Sequence, residues 1–180
     1  MIEGISTKKN ILVINPGGSS TKIAIFQTDV KKFQYQKMNS IRLIPILNCT
    51  IAHPYDELKK FKTIFDQLSY RKKKIMRTIQ KYHFDAIATR GGPLKPLTSG
   101  TYQITSQVIS DLKNGNYQSL HPSLLGPIIA YQLSQEHKVP AYFVDPESVD
   151  EFFPLARLSG LAEIPRKSLS HYLNINAVAR

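Results

Sequence analysis

The sequence has a single cysteine, Cys49, among its 180 residues. One cysteine permits no internal disulfide, which fits a reducing compartment, and it leaves no second thiolate for a structural zinc site. No apolar run approaches the length that spans a membrane, and the first ten residues lack the apolar core of a secretory signal. We therefore expect a cytoplasmic protein that has no membrane partner.

Acidic residues are also scarce: 13 Asp and Glu stand against 24 Lys and Arg, which gives a formal net charge of +11. Asp29 is the only carboxylate between residues 4 and 55, so the clustered carboxylates of a metal-dependent nuclease are missing there. The positive excess attracts anions in general. Its one dense cluster, Arg71-Lys72-Lys73-Lys74, is interpreted as a solvated helix face. We expect no nucleic-acid partner, because no nucleic-acid module accompanies the charge.

A tight polar loop separates two apolar runs at residues 11–15 and 22–27. It reads Asn15-Pro16-Gly17-Gly18-Ser19-Ser20-Thr21-Lys22. Adjacent glycines allow a sharp turn and leave backbone amides uncovered, and successive uncovered amides form a concave anion site. The hydroxyls and the lysine add donors and positive charge. The β-branched run that follows predicts strand, turn, strand, so this is not the helix-linked P-loop. On these residues alone, a phosphate loop and a plain hairpin remain equal alternatives.

The rest of the chain alternates short strands with amphipathic helices. A third strand is predicted at residues 33–38, and residues 41–52 are predicted as strand or loop because they contain Pro45. Apolar residues three and four apart predict a helix over 54–82, with a break near Ser69-Tyr70. The remaining elements are a strand at 85–89, helices at 106–113 and 123–137, a strand at 139–144 and a helix at 166–180. This pattern predicts one α/β domain whose mixed sheet starts as a β-meander, with helices on both faces.

Polar side chains follow three of the predicted strands. Asn15, Arg90 and Asp145 each come just after a strand end, and ligands of α/β sheets gather at the carboxyl ends of strands. We therefore expect these three residues to converge. The glycines after Arg90, Gly91-Gly92, indicate close approach to a ligand, whereas Asp145 could equally be a turn residue.

Two of the histidines are candidates for the same cleft. His121 precedes a proline and could equally begin a helix with its ring in solvent. His171 lies on the predicted last helix, where a lone histidine is more often structural. His53, by contrast, is given no functional role.

A series of motifs in this order resembles the amino-terminal half of the butyrate and branched-chain fatty acid kinases. These are relatives of acetate kinase in the superfamily of sugar kinases, actin and the chaperone ATPases. The resemblance covers residues 10–180. It rests on the residues 14–22, Arg90-Gly91-Gly92-Pro93-Leu94-Lys95-Pro96, Gly100-Thr101-Tyr102, His121, Val144-Asp145-Pro146, Asp150-Glu151, Ala156-Arg157-Leu158-Ser159-Gly160, Arg166-Lys167-Ser168 and Ala177-Val178-Ala179-Arg180.

The resemblance implies a ribonuclease H-like (actin-like ATPase) domain over residues 1–180, with the second domain of the family outside them. It implies a cytoplasmic, dimeric enzyme that uses ATP and Mg²⁺ to phosphorylate a short-chain fatty acid carboxylate, giving an acyl phosphate. By the same resemblance, Asn15 helps to place Mg²⁺. The phosphates are lined by Asn15, Gly17, Gly18, Ser19, Ser20, Thr21 and Lys22, and the catalytic set is His171, Asp145, Arg90 and His121.

Three features depart from the family pattern. Butyrate kinases usually have serine at the position of Gly18. The substrate arginine of acetate kinases falls at Ile87, and Arg90 occupies the position of one of their histidines. The family is also about twice this length, so we expect the 180-residue chain to be inactive by itself. The alternative is a catalytically incomplete domain that serves as a phosphate-binding or oligomerising module.

Overall fold

A six-stranded mixed sheet forms the centre of the computed structural model, which describes residues 8–29, 42–169, 175, 178 and 179. The strand order is β3-β2-β1-β4-β6-β5. The first three strands form an antiparallel meander, β4 and β6 run parallel to β1, and β5 is antiparallel to β6. The predicted α/β fold with a starting meander is confirmed. The strands are β1 Lys8–Pro16, β2 Ser20–Asp29, β3 Ile44–Ala52, β4 Ala86–Thr89, β5 Thr101–Gln103 and β6 Ala141–Val144.

The described helices alternate with the later strands along the chain. They are α1 Tyr55–Leu58, α2 Leu68–Ile79, α3 Ser106–Lys113 and α4 Leu125–His137, with 3₁₀ turns at Phe65–Gln67, Pro122–Leu124 and Pro154–Arg157. Helix α4 contacts β1, β4 and β6, and α2 and α3 contact α4. Alternate residues of the strands are buried beneath them, as the period of two requires. These include Leu12, Ile14, Ile23, Ile25 and Ile87. None of the described helices is both long and apolar enough to cross a membrane.

The third strand of the meander lies later than one prediction placed it. Residues 44–52 pair with β2, whereas the predicted strand at 33–38 lies outside the described residues. Strand β3 forms the edge of the sheet, and edge strands tolerate proline, which has no backbone N–H to donate to a ladder. The register shifts between Ile25 and Phe26, opposite Leu47 and Pro45, so one residue bulges beside the proline.

The helix predicted over 54–82 is divided in two, as the predicted break near Ser69-Tyr70 indicated, but the break lies earlier. Helix α1 ends at Leu58, and helix α2 begins only at Leu68, so the break precedes Ser69. Thr63 and Asp66 explain the new start. The Thr63 amide donates to the Asp66 carboxylate at 2.8 Å, and the Asp66 amide donates to the Thr63 hydroxyl at 3.3 Å. This reciprocal pair resembles a capping box, which is a helix-start signal.

The segment predicted as the last helix, residues 166–180, begins without helical structure. Residues 166–169 have no regular secondary structure, so a helix does not begin at Arg166. The Ser168 hydroxyl instead donates to the Val149 carbonyl at 2.7 Å, in a buried position. Ile175 and Val178 are helical, and most of the remaining predicted helix lies outside the described residues.

Gly126 allows helix α4 to lie against the ends of two strands. A Cβ at Gly126 would stand 2.3 Å from the Thr89 hydroxyl oxygen of β4 and 3.4 Å from Pro16 of β1. Real side chains cannot approach so closely, so only glycine permits this contact. The helix therefore closes directly beneath the strand ends that carry the polar residues.

We predict that Gly126→Ala lowers the free energy of unfolding by about 1–3 kcal/mol, the usual range for overpacking. The hydroxyl of Thr89 has no hydrogen-bond partner among the described residues, so removing it costs little. The double variant Thr89→Ala/Gly126→Ala should therefore be more stable than Gly126→Ala alone, as measured by urea unfolding. Gly160→Ala serves as the control, since nothing lies within 4 Å of its added Cβ. Equal stability of wild type and Gly126→Ala would contradict the packing argument.

Candidate phosphate-binding site

Three parallel strands end at one edge of the sheet. The register pairs Ile14 with Thr89, and Thr89 with Phe143. The next residues in each strand direction, Asn15 and Arg90, therefore lie on neighbouring strands, which are about 4.8 Å apart. Asp145 follows the end of the third strand. The predicted convergence of Asn15, Arg90 and Asp145 at one edge is confirmed at the level of the backbone.

The loop after β1 is held from behind through its carbonyl groups. Arg71 donates from Nη1 to the Gly17 carbonyl at 2.9 Å and from Nη2 to the Gly18 carbonyl at 2.8 Å. The backbone amide of His53 donates to the Ser19 carbonyl at 2.8 Å. The Gly17 amide donates to the Ser20 carbonyl at 2.7 Å and closes the turn. All four carbonyls from Gly17 to Ser20 are therefore occupied within the protein.

This arrangement fixes the direction of two amides. A trans peptide is planar, so its N–H points opposite to its C=O. Since the Gly17 and Gly18 carbonyls point back to Arg71, the amides of Gly18 and Ser19 point away from the protein body. Both residues are exposed, and the described part of the chain provides no hydrogen-bond partner for either amide. Two outward amides in succession are suited to bind an anion.

Side chains around the loop divide between two faces. Asn15 and Lys22 are cross-strand partners, and both are exposed, so an amide and an ammonium group stand side by side. Ser19 is exposed as well, and Ser20 is half-buried. Thr21 is fully buried, and its hydroxyl lies 2.8 Å from His53 Nε2. The expectation that Thr21 offers its hydroxyl to a phosphate is corrected, because that hydroxyl faces inward.

Arg71 corrects the interpretation of the basic cluster. Its side chain is fully buried, and it also donates from Nε to Gln67 Oε1 at 3.0 Å and from Nη1 to Thr21 Oγ1 at 3.4 Å. Burial lowers the pKa of its guanidinium. No carboxylate forms an ion pair with it among the described residues. The spacing of four residues from Arg71 to the buried Ile75 and Ile79 was the signal that placed it on the inner face.

His53 is the second residue that the sequence analysis missed. It is 1% exposed and contacts the loop through its backbone amide and its ring. Burial, followed by the nearby charges of Arg71 and Lys74, lowers the pKa of His53 to about 4. The ring is therefore neutral at physiological pH, and no pattern in the sequence around it indicated this position.

Arg90 lies beside the loop with part of its side chain buried. Its Nε is buried and has no hydrogen-bond partner within the described residues. The following glycines have positive φ angles of 92° and 81°. A Cβ at Gly91 would stand 3.0 Å from Pro146, and one at Gly92 would stand 2.7 Å from Ser123 Oγ. Close packing within the protein is therefore sufficient to explain both glycines, and the predicted approach of a ligand stays a prediction.

Asp145 anchors the neighbouring chain segment. It has a positive φ of 42°, and its Oδ1 accepts a hydrogen bond from the Gly100 amide at 2.8 Å. Its own amide donates to the Gly100 carbonyl at 3.0 Å. These contacts support the turn interpretation for one oxygen of the carboxylate.

His121 begins a short helical turn, as one of its two interpretations stated. Its Nδ1 accepts a hydrogen bond from the Ser123 amide at 3.2 Å and lies 2.6 Å from Ser123 Oγ. The residue itself is exposed. The other predicted histidine, His171, lies outside the described residues.

The described residues around the loop offer few metal ligands. Among the described residues, no group of three His, Cys, Asp or Glu side chains is arranged to hold an ion. Mg²⁺ commonly keeps several waters and takes oxygen ligands from bound phosphates. The exposed Asn15 beside the loop therefore fits an indirect contact to such an ion and does not amount to a protein metal site.

Because His53 is held neutral, we predict an acid-dependent loss of stability. The unfolded histidine titrates near pH 6.5 and the folded one near pH 4, so the unfolded state binds more protons between these values. The free energy of unfolding should fall by on the order of 2 kcal/mol, after allowance for solvent screening, as the pH drops from 6.5 to 4. Below pH 4, His53 should cause no further loss. Urea unfolding from pH 7 to pH 4 measures the slope.

His53→Gln should flatten that slope, because glutamine retains a polar side chain but does not titrate. His83→Gln is the matched control, since the His83 side chain is 79% exposed. An unchanged slope in His53→Gln would contradict the neutral, buried state of the ring.

Comparison with known proteins finds similarity to a butyrate kinase in sequence. No protein-family model matches the sequence. The chain is 42% identical over 175 residues to butyrate kinase 1 of Clostridium acetobutylicum, a match that includes 94% of this chain and 45% of that protein. The chain thus spans about half the length of the curated relative it matches.

Solved structures also resemble it. Acetate kinase of Porphyromonas gingivalis is 13% identical with a TM-score of 0.48, and the match covers 95% of this chain and 48% of that one. A propionate kinase from Francisella tularensis is 15% identical with a TM-score of 0.43, and the match covers 95% of this chain and 48% of that one. RuvC of Thermus thermophilus is 10% identical, with a TM-score of 0.41, over 75% of this chain and 60% of that one. The resemblance to the butyrate kinases is confirmed by the sequence match, and the chain is similar to slightly less than half of such an enzyme.

Proposed function

We propose that this chain is the phosphate-binding half of an ATP-dependent kinase that converts a short-chain fatty acid carboxylate, butyrate or a branched-chain relative, to an acyl phosphate. The observation that carries the proposal is the loop whose carbonyls all accept hydrogen bonds within the protein while the Gly18 and Ser19 amides face outward. The 42% identity to butyrate kinase 1 supports the choice of acceptor. Residues 1–180 would form the first, ribonuclease H-like domain, and the second domain would be supplied by further chain or by a partner.

The loop residues would hold the phosphates of ATP. The outward amides would donate to phosphate oxygens, with the Ser19 hydroxyl and the Lys22 ammonium beside them, while Ser20 borders the turn. Mg²⁺, when bound with ATP, would neutralise part of the phosphate charge, with Asn15 near it. Lys22 is exposed and forms no ion pair among the described residues, so its charge is available to an anion.

The chemistry requires little more than alignment and charge. A carboxylate is already a nucleophile, so no strong general base is needed. Phosphoryl transfer then depends on stabilising the charge on the equatorial oxygens of the moving group. Arg90 lies at the correct edge of the sheet to contribute such a charge. For His171, His121 and Asp145 the family role is proposed from sequence position, and the contacts of Asp145 with Gly100 add a structural role.

A second candidate function is a phosphate-binding or oligomerising module that does not catalyse. The observation in its favour is that the chain covers only 45% of butyrate kinase 1. In a two-domain cleft, the groups that face the loop would belong to the part of the relative that the chain does not match. The full enzyme is proposed to be a cytoplasmic dimer. Incubation of the 180-residue chain with Mg-ATP, butyrate and hydroxylamine, alone and with the carboxyl-terminal half of butyrate kinase 1 added, distinguishes the two functions. Acyl hydroxamate that forms only in the mixture supports the kinase half, and no hydroxamate in either sample supports the module. We expect ATP binding without hydroxamate for the chain alone, and hydroxamate in the mixture.

Lys22→Met is predicted to weaken ATP binding by about fivefold at low ionic strength. The exposed ammonium contributes a screened attraction to the phosphates, so the difference should shrink as salt rises. Isothermal titration with ATP and with adenosine measures it, and adenosine affinity should not change. Lys113→Met removes an equally exposed charge at the end of α3 and should leave both affinities unaltered. Equal ATP affinity in Lys22→Met and wild type would remove this residue from the site.

His171→Ala is predicted to lower kcat strongly in a protein that contains both halves, with a small change in KM. A histidine that stabilises the transferring phosphoryl group acts in the transition state, so its loss affects turnover more than substrate binding. Steady-state hydroxamate assays over a range of butyrate concentrations give both constants. An unaltered kcat would contradict the proposed role.

A further inference from the structure

The Gly17-Gly18 segment has two possible orientations of its peptides. Glycine has no Cβ to favour one backbone conformation, so a peptide flip at this site carries little steric cost. With the carbonyls inward, the loop presents N–H donors to a ligand. With a flipped peptide, it would present a carbonyl oxygen, which repels a phosphate. Something outside the loop must therefore select the donor orientation.

The buried guanidinium of Arg71 is the group in position to do so. It meets the carbonyl oxygens of Gly17 and Gly18 with two different nitrogens, at 2.9 and 2.8 Å, and its Nε is fixed by Gln67 at 3.0 Å. The planar fork spans both carbonyls at once, which a single ammonium group cannot reproduce. Each contact holds one peptide with its N–H pointing outward.

The charge of Arg71 acts in the same direction. It lies immediately behind the loop, and the described residues include no carboxylate paired with it. A buried cation without a counter-ion is unfavourable, and an anion on the outer side of the loop would offset it. The charge of Arg71 therefore makes the electrostatic potential at the loop favourable for an anion even without a ligand.

We infer that Arg71 is the positioning residue of the phosphate loop. It fixes the Gly17–Gly18 and Gly18–Ser19 peptides with their amides outward, and its charge favours an anion there, while it does not itself touch the ligand. As a statement about ligand binding, this rests on the proposed function. As a statement about the orientation of the loop, it stands on the hydrogen bonds alone.

The test uses the whole ¹⁵N-labelled 180-residue chain, with sodium tripolyphosphate as the probe. We expect the amide signals of Gly18 and Ser19 to shift on titration in the wild type. Arg71→Lys, which keeps the charge without the fork, should weaken binding by about tenfold, because hydrogen bonds to a charged group contribute on that scale. Arg71→Met, which removes both, should weaken it further.

Two controls separate positioning from general destabilisation. Arg77→Lys alters an exposed arginine on the same helix, and Ile75→Val loosens the buried face of that helix one turn later. Both should retain wild-type affinity when compared at temperatures where thermal unfolding shows every variant folded. If Arg71→Met does not fold, Gln67→Leu replaces it, since this variant frees the Nε of Arg71 and should give a smaller loss of affinity.

A measurement without ligand decides the orientation separately. In Arg71→Lys, the Gly17 amide, which closes the turn on Ser20, should exchange with solvent faster than in the wild type, while Ile75→Val should leave it protected. Unchanged exchange and unchanged affinity in Arg71→Lys would overturn the inference and leave the proposed function intact. If the wild type does not bind tripolyphosphate, the proposed function fails, and the exchange of the Gly17 amide alone confirms or overturns the positioning role.

Discussion

The hydrogen bonds from Arg71 to the backs of Gly17 and Gly18 are the interaction on which the candidate site depends. A phosphate loop works through its amides, and the direction of an amide is set by what its peptide carbonyl binds. Here that partner is a fully buried cation on helix α2. Burial of such a group is unfavourable by itself, so its presence behind two glycines is best explained by what it imposes on the loop.

Close packing at the ends of the parallel strands also restricts movement around the loop. Gly126 lets helix α4 meet Thr89 and Pro16, and Gly91 and Gly92 let the turn after β4 lie against Pro146 and Ser123. The parallel strands β1, β4 and β6 therefore end in a dense layer, and little of it can shift to accommodate a ligand. The outward face of the loop, with Gly18 and Ser19, remains the accessible part.

Local patterns in the sequence were sufficient to predict the hairpin around the loop and the strand ends at Arg90 and Asp145. Alternating burial and β-branched residues are short-range signals, and so is the order of strands and helices. The spacing from Arg71 to Ile75 and Ile79 was a local sign that Arg71 faces inward, but the partners of Arg71 and His53 could not be found in this way. Arg71 binds backbone carbonyls 53 and 54 positions earlier, and His53 binds the carbonyl of Ser19. Lysines also flank Arg71 on its C-terminal side. A residue that binds backbone leaves no complementary side chain in the sequence by which to recognise it. The Thr63–Asp66 pair, in contrast, was a local helix-start signal that the apolar stripe across it concealed.

The same geometry limits what the loop can recognise. Two backbone amides, an exposed hydroxyl and an ammonium group respond to phosphate oxygens, and these are alike in ATP, in other nucleoside triphosphates and in inorganic tripolyphosphate. No base or acyl group is distinguished by such donors. Under the proposed function, selection of adenosine and of the fatty acid would therefore depend on residues away from the loop. Because the chain covers 45% of its butyrate kinase relative, some of these residues would belong to the part of such an enzyme that the chain does not match. Under the proposed function, the loop would bind the phosphates, and the positive charge of Arg71 behind it would favour their binding at this end of the sheet.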